Sequence, residues 1–331
     1  MGSEYRVKSG YWVCLFLTIF CLSGVGCQGI RQRARAREDY DRAVRAQKIG
    51  QTDQAITALQ MATKANPKLT PAHEMLGDIY RDKGDFERAS QEYETCTTLE
   101  PKSALHLYDL GLMNQLMGRL QKAADSYLKA IKLKPANADA NMNLGIVYLT
   151  LGDHEKSVEH LKLAATQAPT SLEVWMNLGV ALDESGDLPA AEQAYRKAME
   201  LKGDMNGLLL NYSGNLIQQN RPDEAVILLQ QAINEKDSPL AERRMGDALA
   251  AKDWLDAAVG RYEKAIRLDP KYTGAYNALG DTLITLYDRG LQLNEPLRNR
   301  AVAAWKTSLS IQPNQMSVVQ RLAKWSHLEG N

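Results

Sequence analysis

Residues 104–135 read ALHLYDLGLMNQLMGRLQKAADSYLKAIKLKP. Within them Leu107, Leu110, Gly111 and Asn114 fall three and four apart, the spacing of one helix face, and Ala123, Tyr127, Ala130 and Ile131 do the same further on. Gly118 lies between the two runs and tolerates the left-handed conformation that ends a helix. Pro135 closes the second run, because proline disfavours helical geometry in the residue before it. The stretch is predicted to be a helical hairpin.

Shifted by 34 residues, the hairpin recurs. Small residues come into register at Ala43, Gly77, Gly111, Gly145, Gly179 and Ser213 and, after a one-residue deletion, at Gly246 and Gly280, which makes eight copies. Ala55, Ala89, Ala123, Ser157, Ala191 and Ala225 form a second small series, and Ala62, Cys96, Ala130, Ala164, Ala198 and Ala232 a third. Large side chains recur between them at Leu59, Tyr93, Tyr127, Leu161, Tyr195 and Leu229. Two helices that cross closely need small side chains where their backbones approach and larger ones in the adjoining gaps. The breaks recur at Gly50, Gly84, Gly118, Gly152, Gly186 and Asn220, and the closing prolines at Pro67, Pro101, Pro135, Pro169 and Pro270. The chain's 331 residues would suggest about two domains on length alone; a repeat of this period predicts stacked units instead.

This pattern resembles the tetratricopeptide repeat (TPR) family over roughly residues 36 to 313. The resemblance implies an all-α fold, a right-handed superhelical solenoid of about eight hairpins over 36–313, with a concave inner surface of first helices that binds peptides or partner proteins. Some copies depart from the pattern. The sixth has Ser213 for Gly and Gly203 for the preceding Pro, and Asp204-Met205-Asn206-Gly207 is expected to loosen its first helix. The eighth keeps Trp305, Ser308 and Pro313 in place only with nine extra residues near Asp288 to Glu295, expected to be a loop, with Pro296 in the first turn of the resumed helix. Beyond Pro313, Met316, Val319, Leu322, Ala323 and Trp325 predict a capping helix within 314–331.

The first 26 residues read as a signal peptide. Arg6 and Lys8 precede an apolar run from Tyr11 to Leu22, and small residues follow at Ser23, Gly24 and Gly26. The run is about a dozen residues, short of the roughly twenty that cross a bilayer as a helix. Leu22-Ser23-Gly24-Val25-Gly26-Cys27 resembles the lipobox of bacterial lipoproteins, although Gly24 stands where that family usually carries Leu. The resemblance implies acylation of Cys27; the alternative is that Cys27, like Cys14 and Cys21, is one cysteine of an apolar helix. Residues 27–35 are expected to be a basic linker. Arg31, Arg33, Arg35 and Arg37, continued by Arg42, Arg45 and Lys48, suit either anionic head groups beside a lipid anchor or the solvated start of the first helix.

The rest of the chain narrows the function by what it lacks. With 44 % hydrophobic and 24 % charged residues it has the composition of a folded protein. Forty basic residues balance forty acidic ones, without the positive excess that a nucleic-acid partner would call for. The sequence contains no nucleophile elbow and no phosphate-cradling glycine loop, and His154 and His160 lie six apart, off the spacing of metal ligands on one helix face. No enzyme activity, cofactor or metal is expected. Past Cys27 only Cys96 remains, at a place held by Ala in other copies, so it is expected to be a buried small residue and no intramolecular disulfide is expected.

In the TPR family the inner surface is built mainly from the residues two and three places before the small eighth residue and one and four places after it. Carried onto this chain, the resemblance implies a row of Asn143, Asn177 and Asn211. Asparagine amides both donate and accept, so such a row can grip an extended peptide backbone, as in the asparagine ladder of protein glycosyltransferases; the alternative is that they hydrogen-bond locally. Met142, Ile146, Met176, Val180 and Leu210, with Leu149 and Ile217, are expected to form an apolar strip beside the row, or to pack against the next hairpin. The ends turn polar, with Glu74, Asp78 and Arg81 early and Arg243, Arg244, Asp247 and Asp281 late. The places that form a carboxylate clamp in chaperone-binding relatives lack the Lys, Asn and Arg set. The expected function is a lipid-anchored scaffold of the bacterial cell envelope that binds protein or peptide partners, for instance in pilus or secretion assembly. One alternative is an accessory recognition module for an envelope enzyme such as a glycosyltransferase; another is an uncleaved signal anchor with the solenoid in the cytoplasm.

Overall fold

The computed structural model describes residues 9–201, 203–291 and 293–326, with side chains described from residue 28 onward. Expectations for residues 1–8, and for the side chains of the apolar run and Cys27, lie outside the described residues. The described chain is all helix and turn. It divides into two compact units, Met1–Leu151 and Gly152–Asn331. The sequence suggests one continuous stack over 36–313; in a stack each helix packs only on its neighbours, so no single core ties all the copies together.

The first unit contains α1 (Ser9–Lys48), α2 (Thr52–Ala65), α3 (Thr70–Asp82), α4 (Phe86–Leu99), α5 (Ala104–Leu116), α6 (Leu120–Leu133) and α7 (Ala138–Leu151). Residues 28–35, expected to be linker, are helical and belong to α1. Consecutive helices pair as α1 with α2, α3 with α4 and α5 with α6, and each pair stacks on the next. Ala43, Ala55, Leu59, Ala62, Leu76, Ala89 and Tyr93 form one continuous core between them.

The second unit contains α8 (His154–Gln167), α9 (Leu172–Glu184), α10 (Leu188–Met199), α11 (Asn206–Gln218), α12 (Pro222–Glu235), α13 (Pro239–Ala251), α14 (Leu255–Leu268), α15 (Thr273–Arg289), α16 (Glu295–Ile311) and α17 (Met316–Ser326). Between α10, α11 and α12 the Glu192 carboxylate accepts from Arg196, Tyr212, Gln219 and Arg221, with Arg221 at 2.6 Å. Burial opposes its charge, but the Arg221, Arg196 and Gln219 donors hold Glu192 down at about 2.

The small and large places of the repeat meet as steric complements. A Cβ built on Gly111 would lie 2.7 Å from Cε1 of Tyr127, and one on Gly77 2.9 Å from the Tyr93 ring. Gly179 meets Tyr195, Gly246 meets Tyr262 and Gly280 meets Trp305 in the same way. Every ring concerned is buried. The turns follow the expectation as well: Gly84 has φ +75° and Asn220, at the equivalent place, φ +58°. Asp253 takes this role in the seventh pair, with φ +67°. In three pairs an Asp follows the turn glycine and caps the second helix, Asp85 accepting from the Arg88 amide at 3.1 Å, and Asp153 and Asp187 likewise.

Three expectations are corrected. The turn expected near Asp288 to Glu295 lies between Arg289 and Glu295, but most of the added length is helix: α15 and α16 each have 17 residues, against 13 in α13 and 14 in α14. The added turn of α15 continues the apolar stripe of Leu283 and Ile284 with buried Tyr287, so burial favours helix over loop there. Pro296 does sit in the first turn of α16. The sixth copy is not loosened, since α11 runs a full 13 residues and Asn206 donates to the Ala232 carbonyl at 3.0 Å. In α17 the buried residues are Val318 and Trp325, while Met316 and Val319 are exposed. Trp325 packs edge-on against Tyr287, ring centroids 6.0 Å apart, and this contact sets which face of α17 turns inward.

Candidate functional site

The side on which first helices crowd together is the candidate surface. In the second unit α9 touches α11, α11 touches α13 and α13 touches α15, in addition to their own partners; among the described residues no contact of that extent joins successive second helices. In the first unit α5 touches α7. First helices are thus the more closely spaced layer of each unit, and residues between their contact seams face outward from that layer.

Asn177 on α9 and Asn211 on α11 occupy equivalent places, two residues before Gly179 and Ser213. Both are half-buried, and among the described residues neither side-chain amide has a hydrogen-bond partner. Met176 and Val180 beside them are also half-buried. Leu210, expected in the apolar strip, is instead buried at 7 % exposure. Its place on α11 is covered from α13: Arg244 reaches back to donate to the Leu210 carbonyl. The guanidinium passes over Gly214, where a Cβ would come within 2.9 Å of Nη1 and shift the end of the arginine.

Arg244 has no carboxylate within ion-pair distance among the described residues, and burial, together with neighbouring Arg243, pulls its pKa below that of an ordinary arginine. Arg243 pairs through Nη1 with Asp247 at 2.6 Å and donates through Nε to the Tyr272 hydroxyl at 2.8 Å. Tyr262 donates to the other Asp247 oxygen at 3.0 Å. Asp281 pairs with Arg321 of α17 at 2.8 Å. The late polar end of the expected surface is thus largely self-neutralised, with Arg244 the exception.

In the first unit Asn143 on α7 is already used: its amide donates to the Tyr108 hydroxyl of α5 at 3.0 Å. This amide is held by the preceding first helix, 35 residues back in the chain. Met142 and Ile146 flank it, half-buried. Asp78 accepts from Tyr93 at 2.8 Å and pairs with Arg81 at 3.0 Å. Asp109 on α5 shares the register of the asparagines, two places before Gly111, and is buried; desolvation and then the Asp78 carboxylate push its pKa up to about 6.

One device recurs in both units and was not anticipated from sequence. The hydroxyl of the buried large residue reaches through the hairpin to a polar side chain one or four places after the glycine: Tyr93 to Asp78, Tyr127 to Gln115 at 2.8 Å, Tyr195 to Asp183 at 2.7 Å, and Tyr262 to Asp247. The signal was present as Tyr with a carboxylate or amide 12 or 15 residues earlier. Cys96 is buried as expected, and burial followed by the nearby Glu74 pushes its thiol up to about 12. Among the described residues no three His, Cys, Asp or Glu side chains are placed to hold a metal, and no helix is long and apolar enough to cross a membrane.

Models of the tetratricopeptide repeat match residues 70–103, 115–152 and 137–203. These segments carry tetratricopeptide repeats. Superkiller complex protein 3 of Homo sapiens is 31 % identical over 71 residues, 22 % of this chain and 4 % of that protein, so the chain spans a small fraction of the curated relative's length. A tetratricopeptide repeat protein from Parabacteroides merdae ATCC 43184 is 20 % identical over 77 % of this chain and 97 % of its own, with a TM-score of 0.64. Pseudomonas aeruginosa pilF is 19 % identical over 63 % of this chain and 96 % of its own, with a TM-score of 0.53. These structures share the repeat fold.

Proposed function

We propose that the chain is a non-catalytic scaffold whose first-helix faces hold an extended segment of another protein. The observation that carries this reading is the pair Asn177 and Asn211: equivalent places on α9 and α11, free amides, and half-exposed Met176 and Val180 alongside. A free amide at each step offers donor and acceptor to a peptide backbone irrespective of its sequence, and the apolar neighbours supply area to bury. The reading includes attachment to a bacterial envelope membrane through the first 27 residues, with acylation at Cys27. It extends to a role in assembling an envelope complex. The second reading, an accessory recognition module for an envelope enzyme such as a glycosyltransferase, draws on the same asparagines, of which two rather than three have free amides.

The test is site-specific photo-crosslinking in cells producing the full chain. A crosslinker at Met176 or Val180 should give a discrete adduct, one at exposed Ile227 on second helix α12 should not, and Asn177→Ala with Asn211→Ala should reduce the adduct while the helical circular-dichroism signal is kept. Equal labelling from both faces would refute the scaffold reading. The protein captured separates the two readings, being a structural component in one and an enzyme in the other. Fatty-acid labelling that persists in Cys27→Ala would refute acylation at that cysteine.

A further inference from the structure

α1 extends past its partner. Its buried side chains begin at Ala36 and continue through Asp39, Ala43 and Ala46, at the spacing that faces one neighbour. Before Ala36 the helix goes on with nothing against it: residues 28 and 30–35 are exposed and Gly29 is half-buried. Arg31, Arg33 and Arg35 fall in this bare stretch, and Arg37 is exposed at its edge. None of the four has an acceptor among the described residues. No acidic residue occurs between Glu4 and Glu38; Glu38, Asp39 and Asp41 follow within a turn of Arg35 and Arg37, but Asp39 pairs with Arg42 and none of the three pairs with the four arginines among the described residues.

The arrangement says what kind of surface they suit. On a helix of about 3.6 residues per turn, Arg31 and Arg35 share one face and Arg33 and Arg37 share the opposite one, and the four span about 9 Å along the axis. A helix that lies flat on a membrane keeps its cations on one side and an apolar face on the other. Here both sides are cationic, and Ile30 is the only large apolar residue in 28–35. Cations on two sides suit a helix surrounded by anions, standing through a layer of them. All four are arginine, the side chain whose planar fork takes phosphate oxygens two at a time. Upstream in the same chain lies the apolar run Tyr11 to Leu22.

We propose that Arg31, Arg33, Arg35 and Arg37 form a collar that binds the phosphates of anionic phospholipids, with this part of α1 upright in the head-group layer. The inference rests on the membrane attachment proposed above. It is indifferent to the anchor, since Arg31 lies about 6 Å along the helix from Cys27 and stays near the head groups whether the apolar run or an acyl chain is embedded.

The experiment is flotation of the full chain with vesicles of phosphatidylcholine alone and of phosphatidylcholine mixed with phosphatidylglycerol. The collar predicts at least about tenfold more binding to the anionic vesicles, suppressed by salt. That preference should be lost when Arg31→Gln, Arg33→Gln, Arg35→Gln and Arg37→Gln are combined, a change that keeps good helix formers. Equal binding of the unaltered chain to both vesicles, or a preference that survives the four substitutions, would overturn the collar while leaving membrane attachment standing. Failure to bind either vesicle would remove attachment and collar together. If the four substitutions instead abolish binding to single-stranded RNA and leave the vesicle preference intact, the collar contacts nucleic acid and the proposal falls.

Discussion

The hydroxyl of Tyr195 donates to Oδ2 of Asp183 at 2.7 Å, so the residue that fills the fifth hairpin also holds a polar side chain of its first helix. Asn215 of the next hairpin donates to the other oxygen of Asp183 at 2.6 Å. Burial raises the Asp183 pKa, and these two donors oppose the rise. Replacing Tyr195 by Phe keeps the ring and removes one donor. The expected cost is about 1 kcal/mol of stability, with a further upward shift of Asp183 that carboxyl-carbon NMR titration would follow; an unmoved Asp183 would show the bond to be unimportant.

Gly111 and Tyr127 provide a test of packing. Gly111→Ala should cost about 1–3 kcal/mol, because the new Cβ meets a fully buried ring. In a Tyr127→Leu background the same change should become neutral or stabilise by up to about 1 kcal/mol, the helix-forming advantage of Ala over Gly. Denaturant unfolding of the four proteins of this cycle measures the coupling; additive effects would contradict it.

Asp109 should make the first unit sensitive to pH. In the folded state its proton is released at about 6, against an ordinary value of 3.8. Between those values the folded chain holds a proton that the unfolded chain has lost, so stability should fall as pH climbs from about 4 to about 6 and then level off. Asp109→Asn should abolish that part of the slope and raise stability at neutral pH.

His73 should add a second, separate slope. Its Nδ1 lies 2.6 Å from Glu92 and its Nε2 3.1 Å from the Pro67 carbonyl, two acceptors that only the doubly protonated ring satisfies. The hydrogen bond with Glu92 raises its pKa above the ordinary 6.5 despite burial. The stabilisation it brings is therefore complete below about 6.5 and lost as pH rises through the raised value. His73→Gln should flatten this region of the stability profile; an unchanged profile would refute the charged ring.

Trp325 should hold α17 in place. Trp325→Ala is expected to cost about 3–5 kcal/mol locally. The change would be seen as faster hydrogen exchange in α17 and around Tyr287, with the pairs before α13 unaffected.

The sequence revealed the steric part of what repeats, and missed the recurring bond from the buried tyrosine hydroxyl because its partner alternates between two places. The 34-residue period located the turns, the crossings and the closing prolines, because each copy faces the same steric problem. Contacts made once, between one copy and the next, left no period to read. The bond between Asn143 and Tyr108 joins residues 35 apart on two first helices, and the cover of Arg244 over Leu210 passes over a glycine, Gly214, found at that place in one copy alone. The longer α15 escaped because a count of residues against the period shows that something is inserted, not that Tyr287 would bury an added turn behind Leu283 and Ile284.

The pairing of glycine with an aromatic ring reaches beyond stability. Wherever the large place of a copy carries a ring, at Tyr93, Tyr127, Tyr195, Tyr262 and Trp305, it stands against glycine; the leucines are less selective, Leu59 sharing a hairpin with Ala43, Leu161 with Gly145 and Leu229 with Ser213. The two helices of a copy are therefore matched parts. Exchanging whole hairpins between copies would preserve the match, while exchanging a single helix could set an alanine against a tyrosine ring, so the part that can be moved without a clash is the pair and not the single helix.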